Sequence, residues 1–303
     1  MQTRKIGSLD ASVVGLGCNN FGRRLDVAAT KSVVDAAIGV GVTFFDTADI
    51  YGETDSEVFL GRVLKGRRNE VVLATKFGMS NDQLAGGARP EYVKHALAES
   101  LRRLDMDHVD LYQLHRPDPD VPVADTLGAL AELVEAGLTR EIGCSNFSAE
   151  QLDEAQAAAG AGPRFVSVQN EYSLLKRDPE AEVLPACERL NIAFLPYFPL
   201  FSGLLTGKYR AGQPLPQGTR VTGSPRWEAH LTDENYGKID RLSDYAASHG
   251  RELIDLAFAW LLAHQPVASV IAGATKAEQV ERNAKTAGWQ LSAAQVAEVN
   301  ALL

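Results

Sequence analysis

Eight short apolar runs recur along the 303 residues, each separated from the next by a segment of helical spacing, with no shift in composition from one end to the other. They span 13–17, 43–46, 71–75, 109–114, 139–144, 165–169, 192–197 and 268–272. Runs of this length are strand-sized, and strands alternating with helices build parallel sheets. The intervening segments carry one apolar stripe, as in Val93, Leu97, Leu101 and Leu104, or Val123, Leu127, Leu130 and Val134. Pro90 and Pro122 fall where a first helical turn tolerates proline, and the stretch opening at Ser292 has the Ser-x-x-Gln form of a capping box. Eight alternations favour a closed α/β architecture, the (β/α)8 TIM barrel, over an open doubly wound sheet. The chain opens with two short runs around Gly7 and Ser8, the pattern of an N-terminal β-hairpin. A long connection, 198–231, follows the seventh strand and is rich in Gly and Pro, so in a barrel it lies over the active face. A single domain covering 1–303 is expected.

The charge balance narrows the function classes. Net charge is −9, with no Lys/Arg-rich block, so the footprint of a nucleic-acid binder is missing and any anionic ligand must be held by local positive groups. Cys18, Cys144 and Cys187 are odd in number and widely spaced without a CxxC, which reads as reduced thiols in a cytoplasmic protein rather than a disulfide framework or a zinc site. The first ten residues lack an apolar signal core, and the most apolar stretch, LIDLAFAWLLAH, is short and interrupted by Asp255. No membrane association is expected, and no obligate protein partner is indicated.

If the runs are neighbouring parallel strands, their C-terminal ends converge and bring together Asp46 and Tyr51 from VTFFDTADIYG, Lys76 from EVVLATKFG and His115 from HVDLYQLHRPD. The fifth to eighth strands deliver Ser145 and Asn146, Gln169 and Asn170, Tyr197 and Gly273 to the same rim. A free phenol, with a pKa near ~10, is a weak acid at neutral pH, and an adjacent ammonium stabilises its phenolate and lowers that value. Lys76 supplies that charge, Asp46 keeps the lysine charged, and His115 orients a carbonyl oxygen. No side chain provides a hydride, so carbonyl reduction at such a site implies a nicotinamide cofactor.

These motifs together resemble the aldo-keto reductase family, and most closely its bacterial members related to potassium-channel β subunits. GVTFFDTADIYG, LATKFG, DLYQLHRPD, IGCSNFS, QNEYSLL, LPYFPLFSGLLTGKY and VIAGATKAEQVERN follow in the family's order across essentially the whole chain. The resemblance implies a catalytic tetrad of Asp46, Tyr51, Lys76 and His115, with Tyr51 as the general acid, and NADPH bound across the barrel mouth. It assigns Ser145, Asn146 and Gln169 to the nicotinamide carboxamide and Tyr197 to stacking on the ring. Leu200, Gly203 and Lys208 correspond to the segment over the pyrophosphate, Arg220 to the adenosine end, and Gly273, Thr275, Lys276, Gln279 and Asn283 to the 2'-phosphate and adenine site. Free N–H groups at a helix start beside Lys276 form an anion site even on an acidic protein, which favours NADPH over NADH. Arg282 stands where some relatives carry an acidic residue near adenine.

Phe21, Ile50, Arg116 and Trp227 are candidates to line the substrate pocket, with Trp227 equally readable as a loop anchor. GLGCNN lacks the third glycine of a dinucleotide fingerprint. His115, Asp118 and Asp120 lack a second histidine at ligand spacing, so no metal is expected. Cys18 and Cys144 read as packing residues. The leading reading is an NADPH-dependent reductase of a small carbonyl compound; a lyase or aldolase using Lys76 as a Schiff-base amine and a nicotinamide-sensing binding module are the alternatives.

Overall fold

The computed structural model describes residues 1–81, 84–219 and 221–303. Ten strands run β1 (Thr3–Ile6), β2 (Leu9–Ser12), β3 (Val14–Gly17), β4 (Phe44–Asp46), β5 (Val72–Phe77), β6 (Val109–Leu114), β7 (Thr139–Ser145), β8 (Phe165–Gln169), β9 (Ala193–Phe194) and β10 (Val270–Gly273). The helices are α1 (Val27–Gly39), α2 (Asp55–Val63), α3 (Pro90–Leu104), α4 (Val123–Glu135), α5 (Ala149–Ala159), α6 (Val183–Leu190), α7 (Pro225–Glu228), α8 (Asp233–Ser248), α9 (Leu253–Leu262), α10 (Ala277–Lys285) and α11 (Ala293–Asn300). β3 to β10 form one parallel sheet in the order β10-β3-β4-β5-β6-β7-β8-β9. Parallel bridges from Phe194 to Val267 and from Tyr197 to Ile271 join its two edges, so the sheet closes as the TIM barrel that the alternation implies.

Strand side chains alternate between lumen and helix layer, and a change of polarity along the lumen-facing set separates two ends of the barrel. Phe44, Ala74, Leu111, Leu195 and Ile271 meet Ile6, Leu9 and Ala11 of the β1–β2 hairpin in one buried cluster. The hairpin therefore plugs the N-terminal mouth, and the Arg4 guanidinium fastens it there by donating to the carbonyls of Leu262 and Val267. Two residues further along the strands stand Asp46, Lys76, Gln113, Tyr197 and Gly273. Apolar side chains close one end and polar ones collect at the other.

Several boundaries differ from the sequence expectation for physical reasons. β5 continues to Phe77, so Lys76 lies inside a strand rather than just beyond it. β9 is two residues long because Pro196 has no N–H for the ladder, and the Pro196 carbonyl instead accepts from the Ile271 N–H. Pro90 opens α3, whereas Pro122 is the residue before α4, and the Ser292–Gln295 capping box forms at α11. The 198–231 connection is more ordered than its composition implies: a 3-10 segment, Phe201–Thr206, and α7 are joined by rings of Phe198, Phe201 and His230 around Trp227. Among the described residues no helix is long and apolar enough to cross a membrane.

Two helical glycines test the packing of the outer layer. A Cβ on Gly61 of α2 would lie 2.4 Å from the Leu104 carbonyl oxygen at the end of α3, whereas one on Gly128 of α4 would meet nothing within 4 Å. Gly61→Ala should lower Tm by an amount matching about 1–3 kcal/mol of overpacking, and Gly128→Ala should raise it slightly through helix propensity, worth up to about 1 kcal/mol. Thermal melts of the two variants check this; equal shifts would contradict the packing.

Candidate active site

The β4 end and the turn after it bring the first two polar groups into place. Asp46 is the last residue of β4, and the chain then passes into a 3-10 turn, Tyr51–Thr54. A Cβ on Gly52, which has a φ of 61°, would stand 2.4 Å from the Phe21 carbonyl oxygen, so only glycine lets this turn close against the loop after β3. Phe21 is wholly buried behind the turn and buttresses it, rather than lining a substrate pocket as the sequence suggested.

Lys76 has no solvent exposure. Its Nζ donates to Asp46 Oδ2 at 2.7 Å and to the Thr47 carbonyl at 2.8 Å, and it is hydrogen-bonded to the Tyr51 hydroxyl. Burial alone would lower the lysine pKa; the charges of Asp46 and Tyr51 and their hydrogen bonds outweigh it and hold the ammonium above its ordinary value. The other Asp46 oxygen, Oδ1, accepts from Gln169 Nε2 at 2.9 Å and from Gln113 Nε2 at 3.3 Å. Gln113 was not singled out in the sequence. Its position two residues before His115, the end of the HVDLYQLH run, gives the only hint, a polar side chain at a lumen-facing strand position.

Tyr51 departs from the sequence expectation. Burial raises its pKa above the ordinary phenol value, Lys76 pulls it down, and Asp46 pushes it up again, with a net rise. The proton therefore stays on Tyr51 throughout the neutral range. The His115 ring stands edge-on to the Tyr51 ring, with centroids 5.9 Å apart. Desolvation first, then the charges of Lys76 and Arg116, drive His115 well below its ordinary pKa, so the imidazole is neutral at pH 7 and keeps one N–H to donate.

The neighbouring strands add a linked set of amides and hydroxyls. Ser145 Oγ donates to the Gln169 carbonyl at 2.6 Å, Asn146 Nδ2 to the His115 carbonyl and to Ser145 Oγ at 3.0 Å each, and the Tyr197 hydroxyl to Asn146 Oδ1 at 2.7 Å. At the rim the 3-10 segment holds Phe201, Ser202 and Gly203 in successive left-handed conformations, with the Phe201 and Gly203 N–H groups donating to the Phe198 and Leu200 carbonyls. A Cβ on Gly203 would lie 3.1 Å from Lys208 Nζ, and among the described residues the buried Ser202 hydroxyl has no partner. These features fit a diphosphate, and Leu200 stands half-buried at the start of the segment. Exposed Lys276 is the residue before α10 and makes no side-chain cap to it. Gln279 Oε1 accepts from the Thr275 N–H at 2.7 Å, Gly273 is exposed beside this turn, and Asn283 is buried one turn on. Arg282 is turned away to Glu252 and Asp255, each at 2.7 Å. Ile50 is half-buried and Arg116 exposed, whereas Trp227 is nearly buried in its aromatic cluster and anchors the loop. The assignment of Arg220 falls outside the described residues.

Residues 13–303 match the Aldo/keto reductase family, and the chain belongs to it. It is a family of oxidoreductases that act on carbonyl compounds with nicotinamide cofactors. The chain is similar to "Aldo-keto reductase YhdN" of Bacillus subtilis (strain 168), with 35% identity over 97% of this chain and 91% of that protein. It is similar as well to "Aldo-keto reductase yakc [NADP(+)]" of Schizosaccharomyces pombe, with 34% identity over 98% of this chain and 90% of that one. Among solved structures, the holo form of aldo-keto reductase AKR11C1 from Bacillus halodurans superposes with a TM-score of 0.83 at 31% identity, covering 100% of this chain and 96% of its own.

One buried group near the tetrad stands apart. Asp49, fully buried, donates its N–H to the Lys76 carbonyl, while neither carboxylate oxygen has a well-aligned donor; the Ile50 N–H only approaches it. Desolvation and the neighbouring Glu57 raise its pKa to about 7, against the opposing charges of Arg103 and Lys76. An acid whose folded pKa stands above its unfolded value takes up a proton on folding, so Asp49 erodes stability as pH rises from about 4 to about 7. Asp49→Asn should therefore raise Tm at pH 8 by an amount on the order of a few kcal/mol, with the gain shrinking toward pH 5. A Tm difference independent of pH would contradict this.

Proposed function

We propose that the protein is an NADPH-dependent reductase of aldehydes or ketones, with Tyr51 as the proton donor. The observation that carries this reading is the unbroken line from Asp46 through Lys76 to the Tyr51 hydroxyl, with neutral His115 beside it. A reduced nicotinamide supplies the hydride when bound. The chain's own residues do the rest: His115 donates to the carbonyl oxygen and aims it, and Tyr51 hands its proton to the developing alkoxide. Lys76 stabilises the phenolate left behind, which is where its positive charge acts most strongly in a dry site.

For the cofactor, the reading uses Ser145, Asn146 and Gln169 at the carboxamide and Tyr197 against the ring. Leu200, Gly203 and Lys208 take the pyrophosphate. Gly273, Thr275, Lys276, Gln279 and Asn283 take the 2'-phosphate and adenine. Preference for NADPH is supported by Lys276 at the α10 start, and the name of the fission-yeast relative, which carries NADP(+), is in keeping with it. Ile50 and Arg116 line the substrate side. A Schiff-base role for Lys76 fits poorly, because such an amine must be neutral and open, and this one is charged and enclosed. We place the enzyme in the cytoplasm as one domain, consistent with its free, buried cysteines.

The test is NADPH oxidation across small aldehydes, dicarbonyls and aldoses, with Tyr51→Phe as control. The variant should bind NADPH as tightly as the native enzyme and lose about 10^2 to 10^4 in turnover. Native-like turnover in Tyr51→Phe would remove Tyr51 from the role, and no turnover by the native enzyme on any carbonyl would favour a nicotinamide-sensing module.

A further inference from the structure

Gln113 occupies a place in the barrel that packing alone does not account for. It is the register partner of Lys76 across β5 and β6, and the same layer continues to Gly143 on β7 and Ser167 on β8. A Cβ on Gly143 would stand 2.4 Å from Ser167 Oγ and 3.3 Å from Gln113 Cγ. The missing side chain at 143 thus leaves the lumen space across which Gln113 reaches Asp46. Gln113 is fully buried, and among the described residues its Oε1 has no partner. An orphaned buried acceptor is costly, and turning the amide over would set an oxygen against the Asp46 carboxylate. The amide is oriented by Asp46 and left unsatisfied elsewhere.

Asp46 Oδ1 has two amide donors, and they are not equivalent. Gln169 lies at the strand end that the functional reading gives to the nicotinamide, so its amide is shared between Asp46 and the cofactor. Gln113 lies one strand from Lys76, enclosed in the lumen, and among the described residues its side chain makes no other hydrogen bond. We propose that Gln113 is a positioning residue for proton transfer: it holds the Asp46 carboxylate by Oδ1 with Oδ2 aimed at Lys76, whatever Gln169 is doing at the cofactor. The Lys76 ammonium, and through it the Tyr51 proton donor, then keeps its place throughout the catalytic cycle.

This inference rests on the reductase reading for its consequence in catalysis, while its structural half is measured without turnover. Gln113→Met keeps length and volume and removes the amide, and Gln113→Leu is a second apolar replacement should the first fold poorly. In aspartate labelled with 13C at the carboxyl, the Asp46 signal, assigned by its loss in Asp46→Asn, should change its chemical shift at pH 7 in either variant. The amide donor to Oδ1 is lost in both, and the carboxyl carbon reports that loss directly. Turnover on the best carbonyl substrate should fall roughly five- to twenty-fold with the NADPH dissociation constant within twofold. An Asp46 signal that does not move overturns the proposal whatever the activity, as does lost turnover that follows Tm alone. A moved Asp46 signal in an enzyme that reduces no carbonyl would uphold the hold on Asp46 and sink the reductase reading instead.

Discussion

An ammonium without solvent needs each of its hydrogens on an acceptor, and the fold gives Lys76 three: Asp46 Oδ2, the Thr47 carbonyl and the Tyr51 hydroxyl. Removing one partner from a buried ion pair is costly, so the strand ends that carry these groups are held in fixed relation. Asp46 comes from β4, Lys76 from β5, and Tyr51 from a turn whose closure requires Gly52 against the Phe21 carbonyl. The plugging hairpin at the opposite mouth and the apolar lumen floor keep water from the pair's far side. What results is a phenol that stays protonated in the neutral range yet faces a cation able to stabilise its anion. That combination suits a group that must surrender its proton only when negative charge appears on a neighbouring oxygen.

On the proposed reading, a protein of net charge −9 meets its anionic cofactor with local groups only. Lys208 beside Gly203, and Lys276 before the start of α10, supply that charge at close range. Long-range attraction is not needed when cations and a helix start meet a phosphate directly. Arg282, by contrast, has its charge spent on Glu252 and Asp255, which ties α10 to the start of α9.

Much of this was legible in the sequence because strands repeat every two residues and helices every 3.6. The barrel and the hairpin follow from the spacing of the apolar runs, and the meeting of Asp46, Lys76, Tyr51 and His115 follows from runs that end in a polar side chain. Gln113 escaped because its role depends on a gap at Gly143 thirty residues later, which periodicity does not reveal. Asp49 escaped because an aspartate in a turn motif is ordinarily solvated. Phe21 and Trp227 were misplaced or ambiguous because exposure at a loop is decided by which other loops cover it. The direction of the Tyr51 shift depended on weighing burial against one cation, and only the packed site fixes that balance.

The central claim is that Lys76 acts on Tyr51 through its charge, and the most direct measurement is the ionisation of Tyr51 itself. Tyrosine labelled with 13C at Cζ reports it in the native enzyme and in Lys76→Met, with Tyr51→Phe to assign the signal. The account predicts titration above the ordinary phenol range, near ~10, in the native enzyme, and higher still once the cation is removed. A Tyr51 that ionises near neutrality, or that titrates identically without Lys76, would contradict it.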